Sequence, residues 1–298
     1  MLCNVYNDGS HFIATPKIPG EKRFIKKKAK TMLDKDFDRW FLEAISTERS
    51  YKKQMAYIRA KVLEEYGFPG EELIKFLDSY IEGKYKAKMK NIDLRKKRFR
   101  RKAYLNDWNY FVTFTYDSSK QSEESFKASL RKCLSNFHTR RNWRYMGVWE
   151  YGEKDKRLHF HALMFIPEGQ MPGEIYERKD YSERKHKMII THENSYFFKH
   201  YGKNDFQPIT KESLKRGNTL DYILKYITKT NEKIVYSRGI PSEFTDIIDE
   251  DDIAVATIDF VVKYVLYDDI YDDNNERVKK SVVNEKKLES VDEDLSTD

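Results

Sequence analysis

A short segment in the middle of the chain strongly limits how the residues around it can fold. It reads Arg157-Leu-His-Phe-His-Ala-Leu-Met-Phe165. Because a β-strand sends successive side chains to opposite faces, His159 and His161 project to one side while Phe160 points into an apolar face. The segment is predicted to be a strand that presents two imidazoles together, a suitable pair of metal ligands. Such pairs also arise by chance, so the neighbouring segments decide what this one means.

The bulk composition excludes several classes of protein. The chain has 298 residues, 35% of them charged, and no run approaches the ~20 apolar residues of a membrane span. Residues 1–19 show no basic-then-apolar signal pattern. Cys3 and Cys133 are too few for a disulfide framework. We therefore expect a protein of the reducing cytoplasm, with no membrane partner.

Charge is distributed unevenly along the chain. Residues 1–105 hold 26 Lys and Arg against 14 Asp and Glu, a net charge of +12, whereas residues 241–298 hold 6 against 18, a net charge of −12. The basic front favours a polyanionic partner such as nucleic acid, although a solvated, charge-rich surface explains it equally well. The run of basic residues at 95–102 is open to the same two interpretations.

Patterning predicts mostly helix before residue 105 and a mixed sheet after it. Apolar spacing indicates helices at 36–45, 50–66 and 71–90, with a break at 67–70. Beyond that, we predict strands at 110–116, 145–151 and 158–166, helices at 122–139 and 218–231, a further strand near 195–201, and mostly loop over 167–195. This order indicates an α+β domain with a mainly antiparallel sheet flanked by helices.

The helix predicted at 218–231 carries the second part of the constellation. Tyr222, Lys225, Tyr226 and Lys229 share one arc of about 100°, and an apolar stripe lies opposite. We expect the apolar stripe to pack on the sheet and the tyrosine arc to face outward. A tyrosine is a poor nucleophile at its free pKa of about 10, but a nearby ammonium favours the phenolate, and a metal can polarise a phosphodiester for attack.

A third metal ligand is expected from the strand before the histidines. Glu150 ends that strand, and its face depends on a register that the sequence leaves open. Glu153, in the following loop, is the alternative. Two histidines and a carboxylate suit Mg²⁺ or Mn²⁺, although imidazoles also tolerate Zn²⁺.

At these residues the chain resembles the HUH endonucleases, and within them the two-tyrosine rolling-circle replication initiators of small single-stranded DNA phages. Three elements match in order: the strand 111–116, the metal motif 157–161 preceded by 149–152, and the helical motif 222–229. The resemblance covers about 108–232. It implies an HUH (ferredoxin- or RRM-like) sheet with His159, His161 and Glu150 holding the metal, and with Tyr222 and Tyr226 as nucleophiles beside Lys225 and Lys229.

The resemblance also implies a mechanism and partners. One tyrosine nicks a single-stranded DNA origin, forms a 5′-phosphotyrosine link and frees a 3′-OH that primes a host polymerase; the second tyrosine later rejoins the strand. No Gly-rich nucleotide-binding loop is present, so unwinding is assigned to a host helicase. If the gene is carried by a phage, the enzyme works in the cytoplasm of a bacterial host.

These expectations divide the chain into four parts. Residues 1–105 are predicted to be a basic helical region, 106–240 the HUH nickase domain, 241–273 a segment packing on or following that domain, and 274–298 an acidic disordered tail. The alternatives are an HUH transposase or relaxase, and a non-catalytic DNA-binding protein in which the histidine pair is incidental.

Overall fold

Helices and antiparallel sheets make up most of the computed structural model of this protein. It describes residues 1–17, 20, 29–48, 50–67, 70–152, 157–182, 186–216, 218–229, 233–257, 262–267, 270–271 and 277–279. The chain forms two units. The first comprises Met1–Arg23, Arg98–Asn106 and Pro241–Asp298, and the second comprises Phe24–Lys97 and Asp107–Ile240. No helix in the described ranges is long and apolar enough to span a bilayer.

Three helices precede the main sheet, as predicted: α1 (Met32–Thr47), α2 (Tyr51–Tyr66) and α3 (Glu71–Leu105). Thr31 and Asp34 form a reciprocal capping box at the start of α1, which satisfies backbone donors there. The third helix runs well beyond the predicted end at residue 90. The helical packing centres on a buried cluster that includes Phe37, Trp40 and Ile58.

The main sheet of the second unit is antiparallel. Its strands are β3 (Tyr110–Thr115), β4 (Arg144–Tyr151), β5 (Leu158–Phe165), β8 (Asn204–Pro208) and β9 (Val235–Tyr236), and their order across the sheet is β8-β3-β5-β4-β9. Helix α4 (Glu123–Arg141) begins after its N-cap Ser122 and contributes to the core cluster of this sheet. The prediction of an α+β fold with an antiparallel sheet flanked by helices is confirmed.

The face of the sheet opposite the histidines forms the apolar core. Phe114, Trp149 and Phe160 pack there with apolar residues of α4. Gly147 allows a close approach, because a Cβ at that position would lie 2.5 Å from the carbonyl oxygen of His161. The tryptophans at 108, 143 and 149 are 5%, 0% and 0% exposed, so they serve the core and are not available to stack on bases.

The segment between β5 and β8 differs from the prediction. Residues 167–195, expected to be mostly loop, contain a hairpin of β6 (Ile175–Ser182) and β7 (Lys187–Asn194). Residues 195–201, expected to be a strand, form helix α5 (Ser195–Tyr201), because the side chain of Asn194 caps it by accepting a hydrogen bond from the backbone N–H of Phe197. The helices α6 (Lys211–Lys215) and α7 (Asn218–Lys229) follow β8.

The first unit joins the two ends of the sequence in a second antiparallel sheet. Its strands are β1 (Leu2–Asn7), β2 (Phe12–Pro16), β10 (Phe244–Ile247), β11 (Ile253–Thr257) and β12 (Lys263–Leu266), in the order β10-β1-β2-β12-β11. A small pair is formed by β13 (Ile270–Tyr271) and β14 (Arg277–Lys279). Cys3, Val5 and Ala14 form the core of the sheet with Ile248 and Leu266.

Two sequence expectations bear on this unit. The region 1–105 was predicted to be helical, but it begins with β1 and β2, because these strands find their partners far along the chain. The predicted disordered tail at 274–298 lies outside the described residues except for 277–279.

Candidate functional site

The two central histidines lie on the face of the sheet opposite α4. In β5, His159 is paired across β3 with Thr115, and His161 with Thr113. Each threonine hydroxyl contacts the Nδ1 atom of its histidine, at 3.1 Å for His159 and 3.0 Å for His161. These contacts fix the orientation of both rings, as outer partners of metal-binding histidines commonly do.

Glu150 lies on the histidine face. In the β4–β5 register, Glu150 is directly opposite His159, and opposed residues in antiparallel strands project to the same side. Its Oε2 atom lies 2.6 Å from Nε2 of His161, and both side chains are buried. Glu153, the alternative ligand, lies outside the described residues.

Helix α7 places both tyrosines against His161. The Tyr226 ring is stacked on the imidazole with centroids 5.6 Å apart, and the Tyr222 ring meets it edge-on at 5.1 Å. The two phenol rings are themselves 5.0 Å apart. The chain therefore brings together, around one imidazole, residues that are more than 60 positions apart in sequence.

The expectation that the tyrosine arc faces outward is wrong. Tyr226 is 5% exposed, and Tyr222 is half-buried. The apolar arc of α7 is buried as well, at Leu220, Ile223, Leu224 and Ile227. Helix α7 contacts both β4 and α1, so each arc has a surface to pack against, and the aromatic arc takes the sheet.

Burial determines the protonation state of Tyr226. Desolvation raises the pKa of its phenol well above the ordinary value, and hydrogen bonds with Tyr222 and Glu150, together with the charge of Glu150, raise it further. Tyr226 is consequently a neutral hydroxyl throughout the physiological pH range.

The lysines of α7 are placed differently. Lys225 is exposed, with its Nζ atom 5.9 Å from the centroid of the Tyr226 ring, close enough to favour a negative charge developing nearby. The side chain of Lys229 lies outside the described part of the structure, so its role stays a prediction.

The donor set fits a divalent metal in its chemistry. Among the described residues, no three His, Cys, Asp or Glu side chains are already arranged to hold an ion, because Glu150 contacts His161 directly. A threonine hydroxyl can either donate to or accept from Nδ1, so Thr113 supports His161 with its proton on either nitrogen. The same imidazole can therefore bond Glu150 or offer its Nε2 lone pair to a cation. Metal binding by His159, His161 and Glu150 stays a prediction.

Sequence reasoning missed one member of the site. The ring of Phe111, on β3, stacks on His161 with centroids 6.1 Å apart and meets Tyr222 edge-on at 6.2 Å. Its strand was predicted, and the alternation of β3 puts Phe111 on the same face as Thr113 and Thr115. The signal was present, but the pairing of β3 with β5 was needed to use it.

Residues set aside at the sequence level have structural roles. Nδ1 of His138 contacts the carbonyl of Trp143 at 2.7 Å. Asp117 is a turn residue whose Oδ1 atom accepts from the backbone N–H of Ser119 at 3.0 Å.

Comparison with known families agrees with this geometry. Residues 109–231 match the family model of the Replication-associated protein ORF2. This is a family of rolling-circle replication initiators. The match runs from β3 to the end of α7 and so includes every predicted site residue. Neither a curated protein nor a solved structure matches the chain.

Proposed function

We propose that this protein is a replication initiator that nicks a single-stranded DNA origin with a tyrosine of α7 and later rejoins the strand. The observation that carries the proposal is the convergence of Tyr222, Tyr226 and Glu150 on the imidazole of His161. Nucleophile and acid–base groups within contact distance are the signature of covalent catalysis. The family match supports the replication role independently.

The chemistry is a transesterification. A tyrosine oxygen attacks the scissile phosphorus, the bond from phosphorus to the 3′ oxygen breaks, and the DNA 5′ end remains on the enzyme as a phosphotyrosine. The phenolic proton leaves and the departing 3′ oxygen takes up a proton, giving a free 3′-OH. One phosphodiester replaces another, so the reaction needs no nucleotide hydrolysis, and rejoining is the same reaction in reverse.

The residues of this site divide the work. Lys225 supplies the positive charge that favours the phenolate. His159, His161 and Glu150 would hold Mg²⁺ or Mn²⁺, which supplies Lewis-acid polarisation of the scissile phosphate. Tyr222 is the more accessible phenol, and we propose that it cuts first, leaving the buried Tyr226 for the rejoining step.

The surroundings of the reaction are part of the proposal. The 3′-OH would prime a host polymerase, and a host helicase would unwind the template in the cytoplasm. A phage replicon, as the resemblance suggests, is the setting we propose.

Other HUH enzymes are the nearest alternatives. Relaxases usually carry a three-histidine motif and a tyrosine near the N-terminus, whereas here the tyrosines follow the metal motif. Single-tyrosine transposases lack the pair at 222 and 226. A non-catalytic DNA-binding protein would have no use for a half-buried phenol pair stacked on an imidazole.

Covalent capture tests the proposal. End-labelled single strands that tile the replicon encoding the protein are incubated with the full chain and Mn²⁺, and the products are separated under denaturing conditions. We expect one strand to yield a protein–DNA adduct, which the double variant Tyr222→Phe/Tyr226→Phe does not form. An adduct that persists in the double variant contradicts the nucleophile assignment. A wild-type protein that forms none on any strand contradicts the proposed activity.

A further inference from the structure

The hairpin of β6 and β7, called here the ribbon, carries an exposed apolar patch. Opposed residues in its register project to the same side, so Tyr181 lies beside Met188, and Lys179 beside Ile190, on one face. Tyr181, Met188 and Ile190 are 55%, 58% and 52% exposed. Three large apolar side chains side by side in water mark a surface that contacts something else.

The near end of the ribbon is held firmly. Asn194 is fully buried, and its backbone N–H donates to Oδ1 of Asn204 at 2.8 Å. The backbone N–H of His192 donates to Oδ1 of Asp205, also at 2.8 Å. Anchored at one end and exposed at the other, the ribbon can transmit a force to whatever its outer half contacts.

The anchor is close to the candidate site. Asp205, on β8, is paired with Thr113, which is paired in turn with His161, so all three project from the same face of the sheet. Neighbouring strands are about 4.8 Å apart, which places the Asp205 backbone roughly 10 Å from that of His161. DNA held at the histidines therefore passes within reach of the ribbon.

The charges of the ribbon favour a polyanion. Arg178, Lys179 and Lys187 are exposed around the apolar patch, and Asp180 is neutralised by an ion pair with Lys203. The residues joining the strands read Glu-Arg-Lys in the sequence. Cations flanking aromatic and aliphatic side chains suit phosphates on either side of unstacked bases.

We propose that the ribbon opens duplex DNA beside the nicking site, with Tyr181, Met188 and Ile190 packing against bases as the strands part. Apolar side chains inserted between base steps unstack and kink duplexes in many architectural proteins. This inference rests on the proposed function, because a site that acts on single strands needs its substrate exposed. It gives the chain a local melting element in addition to any helicase.

A second copy of this chain is the competing occupant. Stable protein–protein interfaces bury about 800 Å² on each partner, drawn from 20–30 residues. Three apolar side chains bordered by exposed cations fall short of that, and two identical basic ribbons would repel each other.

A forked DNA tests the proposal without knowledge of the origin sequence. The probe is a 20-base-pair duplex with a single-stranded arm and 2-aminopurine at the first paired position, whose fluorescence rises when that base unstacks. The variant is Tyr181→Ser/Met188→Ser/Ile190→Ser in the full chain. The control is Leu94→Ser on α3, an equally exposed apolar residue, 51% accessible.

We expect the wild type and Leu94→Ser to raise the fluorescence of the fork, and the triple variant to leave it unchanged. Because a base–side-chain stack is worth about 1–3 kcal/mol, the triple variant should bind the fork at least about tenfold more weakly. Its binding to the single-stranded arm alone, its thermal unfolding and its adduct formation on single strands should match those of the wild type.

Three results would overturn the inference. One is equal fluorescence and affinity for the fork in wild type and triple variant. Another is a wild type that is dimeric by light scattering beside a monomeric triple variant, which would make the patch an interface between copies. The third is an equal loss of fork and single-strand binding, which would indicate general damage. Adduct formation by the wild type is scored separately, so failure of the nicking proposal is distinguishable from failure of the ribbon proposal.

Discussion

Glu150 links the histidines to the tyrosines, so its neutralisation to Gln tests the site most directly. The side chain keeps its shape but loses its charge. A hydrogen bond to a charged group contributes about 1.5–3 kcal/mol and a neutral one about 0.5–1.5 kcal/mol, so Glu150→Gln should lower the free energy of unfolding by about 1 kcal/mol. Denaturant titration measures this change. The matched control is Glu168→Gln, an exposed carboxylate in the turn after β5.

The effect on chemistry should be much larger than the effect on stability. Even residues that only orient metal ligands contribute about 10–100-fold, so loss of a ligand carboxylate should slow adduct formation by about 100-fold or more. The carboxylate also raises the pKa of Tyr226, so the variant should ionise that phenol at lower pH, as followed by absorbance at 295 nm. Adduct formation at the wild-type rate, in a variant with the expected stability change, would refute the reasoning about this site.

Three further perturbations test other parts of the structure. Gly147→Ala places a Cβ 2.5 Å from the His161 carbonyl oxygen and should cost about 1–3 kcal/mol in denaturant titration, because the two strands must separate. Thr113→Val removes the hydroxyl that contacts Nδ1 of His161 and should reduce metal-dependent adduct formation about 10–100-fold while largely sparing the fold. Tyr226→Phe should weaken the fall in stability at high pH: the unfolded phenol ionises near pH 10, the folded one resists, and so the free energy of unfolding drops as pH rises above about 10.

Each of these predictions has a contrary outcome. A Gly147→Ala protein as stable as the wild type would show that β4 and β5 can separate freely. Unchanged Mn²⁺ dependence in Thr113→Val would remove the threonine from metal binding. Identical stability profiles between pH 8 and 11 for wild type and Tyr226→Phe would contradict the burial of that phenol.

Local patterning was sufficient for the centre of the fold. The alternation around His159, the Ser122 cap and the 3.6-residue period of α7 each depend on neighbours in sequence, and these elements were predicted within a few residues. The face of Glu150 was left open, because register is set by pairing between strands and a slip of one residue reverses it. Once β4 and β5 pair, that choice is fixed.

The errors have physical causes in packing and pairing. The ribbon has water on both sides over its outer half, so its strands lack the apolar alternation that identifies a half-buried strand. Helix α5 is aromatic and looked like a strand, but the Asn194 cap decided its conformation. The tyrosine arc of α7 was read as a surface because tyrosine is amphipathic, and only the second contact with α1 explains why both arcs are buried.

The pairing of β1 with β10 and of β2 with β12 sets the order in which the protein can mature on the ribosome. All of the site-bearing residues 107–240 emerge before β10 and β12 are made. Until then, β1 and β2 form an isolated hairpin, which is marginally stable in water. A chain terminated early, before residue 244, can complete its catalytic sheet but leaves β1 and β2 without their partners. Such open strand edges recruit other chains, so truncated products of this gene should aggregate even with an intact candidate site.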